Sequence, residues 1–134
     1  MSLAPLLDAP FVIQLHAFAA MGAFGLGLLQ FAAPKGTLPH RTLGWIWVAL
    51  MLVIAISSFW IYGKGARLVG PFGPIHLLSI VVLTLLPIGL LFAHRHNASG
   101  HARTMVSLFI GALIIAGGFT LLPGRIMHAV AFGN

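Results

Sequence analysis

The chain has 134 residues, of which 60% are apolar and 6% charged, and a formal net charge of +6. A soluble domain covers its surface with charged residues whereas a bilayer solvates apolar surface directly, so this composition excludes an ordinary water-soluble fold. A single acidic residue, Asp8, and no cysteine exclude paired-carboxylate catalysis, carboxylate metal sites, disulfides, iron–sulfur clusters and thiolate zinc. The basic residues Lys35, Arg41, Lys64, Arg67, Arg95, Arg103 and Arg125 stand singly at the ends of apolar runs. That placement suits lipid headgroups, and it lacks the grouped basic face that nucleic-acid binding needs.

Residues 1–9 carry no Lys or Arg and no small-residue cleavage pattern, so no cleavable signal peptide is expected. A spanning helix takes about 20 apolar residues. Four such helices are predicted, at residues 10–33, 40–62, 72–93 and 101–122, with a loop at residues 63–73 holding Lys64, Arg67 and Pro71. Pro34, Pro39, Pro74 and Pro123 lie at the proposed ends, as suits residues without an amide donor. Trp45, Trp47, Trp60 and Tyr62 are expected at the membrane interface, and Pro87 is expected to kink the third helix. Gly22, Gly25 and Gly27 of the first helix, with Gly111, Gly117 and Gly118 of the fourth, would allow close packing or admit a planar group. Residues 1–134 thus read as one domain, an all-α integral membrane four-helix bundle. Lys35, Arg41, Arg95 and Arg103 on one side outnumber Lys64, Arg67 and Arg125 on the other, which predicts both termini outside the cytoplasm.

Comparison of the two halves brings out the histidines. His16 precedes His40 by 24 positions, and His76 precedes His101 by 25. The second members open similar runs, His40-Arg41-Thr42-Leu43 and His101-Ala102-Arg103-Thr104-Met105. Read as a repeat, each half is one helical hairpin, and the halves are related by a pseudo-twofold along the membrane normal. In an antiparallel bundle with short loops, helices one and three are diagonal, as are two and four. His16 then faces His76 near one membrane surface, and His40 faces His101 near the other. Two facing imidazole pairs suit one or two bis-histidine b-type haems. Arg41 and Arg103, just beyond their histidines, are placed to neutralise haem propionates or to anchor at headgroups. Zinc or copper would receive only two ligands from each pair. Met21, Met51, Met105 and Met127 are axial ligands in principle and packing filler more often. Ser57, Ser58, Ser79 and Ser107 lie in apolar spans with no acidic residue to orient a histidine, which argues against a hydrolase.

The run from His16 through His40-Arg41-Thr42-Leu43-Gly44-Trp45, Ser57, Ser58, His76 and His101 to Arg125 resembles a bacterial family of small membrane proteins of unassigned function. That family carries a first-helix His, His-Arg-x-x-Gly at the second helix and His-x-x-x-Met at the fourth. More distantly, the order of the histidines is similar to that of two-haem transmembrane cytochromes b, in which the first pairs with the third and the second with the fourth. The resemblance implies ligand pairs His16 with His76 and His40 with His101, and a location in the bacterial inner membrane. This chain is shorter and lacks the flanking helices of those cytochromes. The expectation is a single-electron carrier, with a quinol or small reductant as donor and a quinone or other redox partner. The competing expectation is a haem-free accessory subunit, packed in a larger membrane complex or as a homo-oligomer.

Overall fold

The computed structural model describes residues 1–61 and 73–133. Tyr62, Lys64, Arg67 and all but the last residue of the loop expected at residues 63–73 lie outside them. All regular structure among the described residues is helical. A short α1 (Ala4–Leu7) precedes α2 (Phe11–Ala32) and α3 (Leu38–Ser58). Next come α4 (Pro74–His94), α5 (Ala98–Phe119) and a closing α6 (Ile126–Phe132). Four of these, α2 to α5, are long and apolar enough to cross a membrane.

Local chemistry sets the ends. The Thr37 hydroxyl accepts the His40 amide at 3.3 Å and starts α3, with Pro39 in the first turn where its missing donor costs nothing. Lys35 turns back to donate to the carbonyls of Gln30, Phe31 and Ala33, which the end of α2 leaves unsatisfied. The Asn97 side chain accepts from the Gly100 amide at 2.9 Å and opens α5. Between α4 and α5 the chain reverses through His96, whose φ is +57°. The His96 amide donates to Ala93 O and the Asn97 amide to Phe92 O, a Schellman pairing with histidine where glycine is usual.

Helix α4 runs through Pro87 without ending. Helix α5 changes character midway, with π-type geometry over Phe109–Ile115. The second helix stops at Ser58, earlier than residue 62, because Phe59 and Trp60 close it with turn-type bonds to Ile56 and Ser57.

The spanning helices pack in a ring: α2 on α3, α3 on α4, α4 on α5, and the π stretch of α5 back on α2. Helices α2 and α4 are therefore diagonal, as are α3 and α5. The middle of the ring is filled by Ala23, Trp47, Met51, Leu86, Phe109 and Leu113. Trp47 is not interfacial: it is 6% exposed, and its indole N–H donates to Ala23 O at 3.0 Å, bonding α3 to α2 in the core. Trp45 and Trp60 are exposed, as interface residues should be. Outward faces carry Phe18, Leu28, Ile46, Leu52, Ile80 and Ile110. Without a hydrophobic drive between helices in lipid, cohesion rests on this packing and on inter-helix hydrogen bonds.

Of the glycines, Gly27 sits at a true close approach. A Cβ there would stand 2.5 and 2.7 Å from ring carbons of Phe109. At Gly25, Gly111, Gly117 and Gly118 a Cβ would meet nothing within 4 Å, so the small-residue faces of the first and fourth helices touch at one point only. The tight contact of the other hairpin lies at Gly89, where a Cβ would meet Met105 at 2.6 Å and Thr104 at 3.1 Å. At one end of the molecule α1 packs on α6, with Leu6 fully buried and the Ser2 amide donating to Val130 O.

Candidate functional site

Polar side chains gather at the two ends of the ring, as the repeat of histidines implies. At the end where α3 and α5 begin stand His40 and His101. The His101 Nδ1 is 2.9 Å from the Gly89 carbonyl. A carbonyl only accepts, so Nδ1 carries the proton and Nε2 keeps its lone pair. This is the arrangement of a metal-ligating imidazole, whose other nitrogen donates to a backbone carbonyl.

His40 is half-buried, and its Nδ1 is shielded from solvent with no hydrogen-bond partner. It lies within coulombic reach of the Lys35 ammonium and of His101 on the diagonal helix. Gln30 of α2 donates from its amide nitrogen to the His40 carbonyl at 2.8 Å, while its amide oxygen is also buried and unpartnered. Gly44 makes room for this amide, since a Cβ there would stand 3.3 Å from its nitrogen. Arg41 and Arg103 are at the same end and exposed; Arg103 donates to the Ser99 hydroxyl at 3.2 Å.

At the opposite end, where α2 and α4 begin, His16 and His76 are joined to the ring by serines. The His16 Nδ1 is 3.0 Å from the Ser57 hydroxyl, and that hydroxyl donates to Ile54 O at 3.1 Å. With the Ser57 proton so committed, His16 is the donor and its Nε2 keeps the lone pair. Ser58 bonds Ser79 at 2.5 Å, linking α3 to α4.

His76, 3% exposed, lies 5.9 Å from the Phe59 ring. Its Nδ1 accepts the Gly73 amide at 3.0 Å, helping to cap α4. The neutral His76 ring therefore carries its proton on Nε2, the reverse of His16 and His101. Beside Ser57, on the outer side of α2 and α3, is an apolar groove of about 310 Å³ lined by Val12, Leu15, Leu52, Val53, Ile56 and Trp60.

The residues suit a bis-histidine haem unequally at the two ends. His40 and His101 offer one nitrogen ready to ligate and one buried nitrogen with no partner, on diagonal helices. At the other end His16 is ready to ligate, while His76 would first have to release the Gly73 amide. Among the described residues no three of His, Asp and Glu converge on one point. His94 and His96 are exposed at the α4–α5 turn, and His128 donates to Leu121 O at 2.7 Å. Met51 is fully buried in the core and Met105 packs at Gly89, which is filler behaviour.

Two participants escaped the reading of the sequence. Gln30 was legible as an amide in an apolar run. The Gly89 carbonyl had no signal, because backbone acceptors are invisible in sequence.

The sequence profile of a family described as "Predicted membrane protein (DUF2306)" matches residues 13–131. Neither the curated proteins nor the solved structures contain a match to this chain.

Proposed function

We propose that the chain, which belongs to that family of membrane proteins, is a b-type electron carrier holding one haem between His40 and His101. One observation carries the proposal. His101 donates its Nδ1 proton to Gly89 O and so presents Nε2, at the same end of the ring as His40 on the diagonal helix. When bound, a haem supplies one-electron exchange between ferric and ferrous iron.

The chain's own residues have three tasks. His40 and His101 would hold the iron between α3 and α5. Arg41 and Arg103, exposed at that end, and Lys35 nearby supply positive charge for propionates. The packed core beneath, with Trp47 and Phe109, keeps water from the mid-membrane side and thereby tunes the potential. His16 and His76 serve the opposite end through their bonds to Ser57 and Gly73. A quinol or a small reductant as donor, and the bacterial inner membrane as the location, belong to the same proposal.

The test is the visible spectrum of the detergent-purified chain, expressed with a haem precursor. A Soret and alpha band that sharpen and shift on dithionite reduction are expected. His40→Ala and His101→Ala should each abolish them, and His16→Ala should leave them. A colourless protein overturns the proposal and leaves the haem-free accessory role. Colour that survives both His40→Ala and His101→Ala also overturns it.

A further inference from the structure

The two hairpins treat their histidines differently, and the difference is confined to one hydrogen bond. In the second hairpin the His101 Nδ1–H is taken by Gly89 O, an acceptor 12 positions earlier on the preceding helix. In the first hairpin the preceding helix offers Gln30, 10 positions before His40. Its amide nitrogen already grips the His40 carbonyl at 2.8 Å, so its oxygen is held beside the same residue. That oxygen is buried and unpartnered, and so is the His40 Nδ1. Leaving either atom unpaired would forfeit its hydration with nothing in return. They are complementary: an amide oxygen only accepts, and a neutral imidazole Nδ1 can donate.

We infer that Gln30 is the positioning residue of His40, its Oε1 accepting the Nδ1 proton of His40 as the Gly89 carbonyl accepts that of His101. Gly44 is part of the device, because a Cβ there would stand 3.3 Å from the Gln30 amide nitrogen and crowd it. The bond from the Gln30 amide nitrogen to the His40 carbonyl already keeps the amide oxygen near that residue. Both rings at this end then present Nε2, unlike the His16 and His76 pair at the other end. Haem ligation by His40 is the premise from the preceding subsection, but the hydrogen bond itself is measurable without colour.

The experiment is nitrogen NMR on the full chain with ¹⁵N-labelled histidine, expressed without the haem precursor so that no iron fixes the His40 tautomer, at about pH 8 where imidazole is neutral. The expected result is His40 protonated on Nδ1 in the wild type. In Gln30→Met, which keeps the volume but loses the acceptor, His40 should move to the Nε2-protonated form. Gln30→Glu should restore the Nδ1 form. The His101 tautomer, held by Gly89, should be unchanged in every variant and reports that the fold is intact. His40 with the same tautomer in wild type and Gln30→Met overturns the inference, as does His40 protonated on Nε2 in the wild type. The two proposals fail separately: a colourless protein with a Gln30-dependent tautomer removes the haem alone, and a chain that shows haem bands when given the precursor but a Gln30-independent tautomer without it removes the positioning role alone.

Discussion

Substituting Gly27 probes the junction that closes the ring. A Cβ at position 27 would press on two Phe109 ring carbons at 2.5 and 2.7 Å and on the Trp47 indole nitrogen at 3.3 Å. Neither neighbour is free to retreat. The Phe109 ring is stacked on Phe24 with centroids 5.6 Å apart and meets Phe31 edge-on at 4.9 Å, and Trp47 is tied to Ala23 O. Overpacking of this kind costs about 1–3 kcal/mol, and the contact lies where the π stretch of α5 packs on α2, so Gly27→Ala should cost about 2 kcal/mol.

The control is Gly25→Ala, where a Cβ meets nothing within 4 Å. It should be neutral or stabilising by up to about 1 kcal/mol from helix propensity. In a Phe109→Leu background the clash is relieved, and the cost of Gly27→Ala should fall by about 1–2 kcal/mol, the coupling expected of touching residues. Reversible unfolding in mixed detergent and dodecyl sulfate micelles, followed by tryptophan fluorescence, measures all four corners of the cycle. A neutral Gly27→Ala, or an equal cost with and without Phe109, would refute the account of the α2–α5 junction.

Two further outcomes concern local structure. His96→Gly should stabilise the protein by about 1 kcal/mol, since the left-handed backbone at this position penalises any residue with a Cβ; a lower midpoint in the same unfolding assay contradicts the φ of +57°. Ser58→Ala and Ser79→Ala should each destabilise by about 0.6 kcal/mol, and the double variant should cost less than the sum, because one bond joins the two hydroxyls. Strict additivity would show that the serines act apart.

Composition alone determined that this is a membrane protein, because a chain with 6% charged residues has no other solvent. The lengths of the apolar runs determined four spans within a few residues, and the spacing of His16, His40, His76 and His101 put two histidines at each end. Tertiary structure decided what periodicity does not encode. Trp47 reads as an interface residue from its distance to a helix start, yet it is a core donor, because the facing helix offers Ala23 O. Six glycines read alike in sequence, and only Gly27 meets a ring, because α2 and α5 cross at a single level. The roles of the histidines were also hidden, since a tautomer follows from the partner of each nitrogen. His101 meets a carbonyl, His76 meets an amide, and Gln30 stands beside His40; those partners come from other helices or from the turn of the chain.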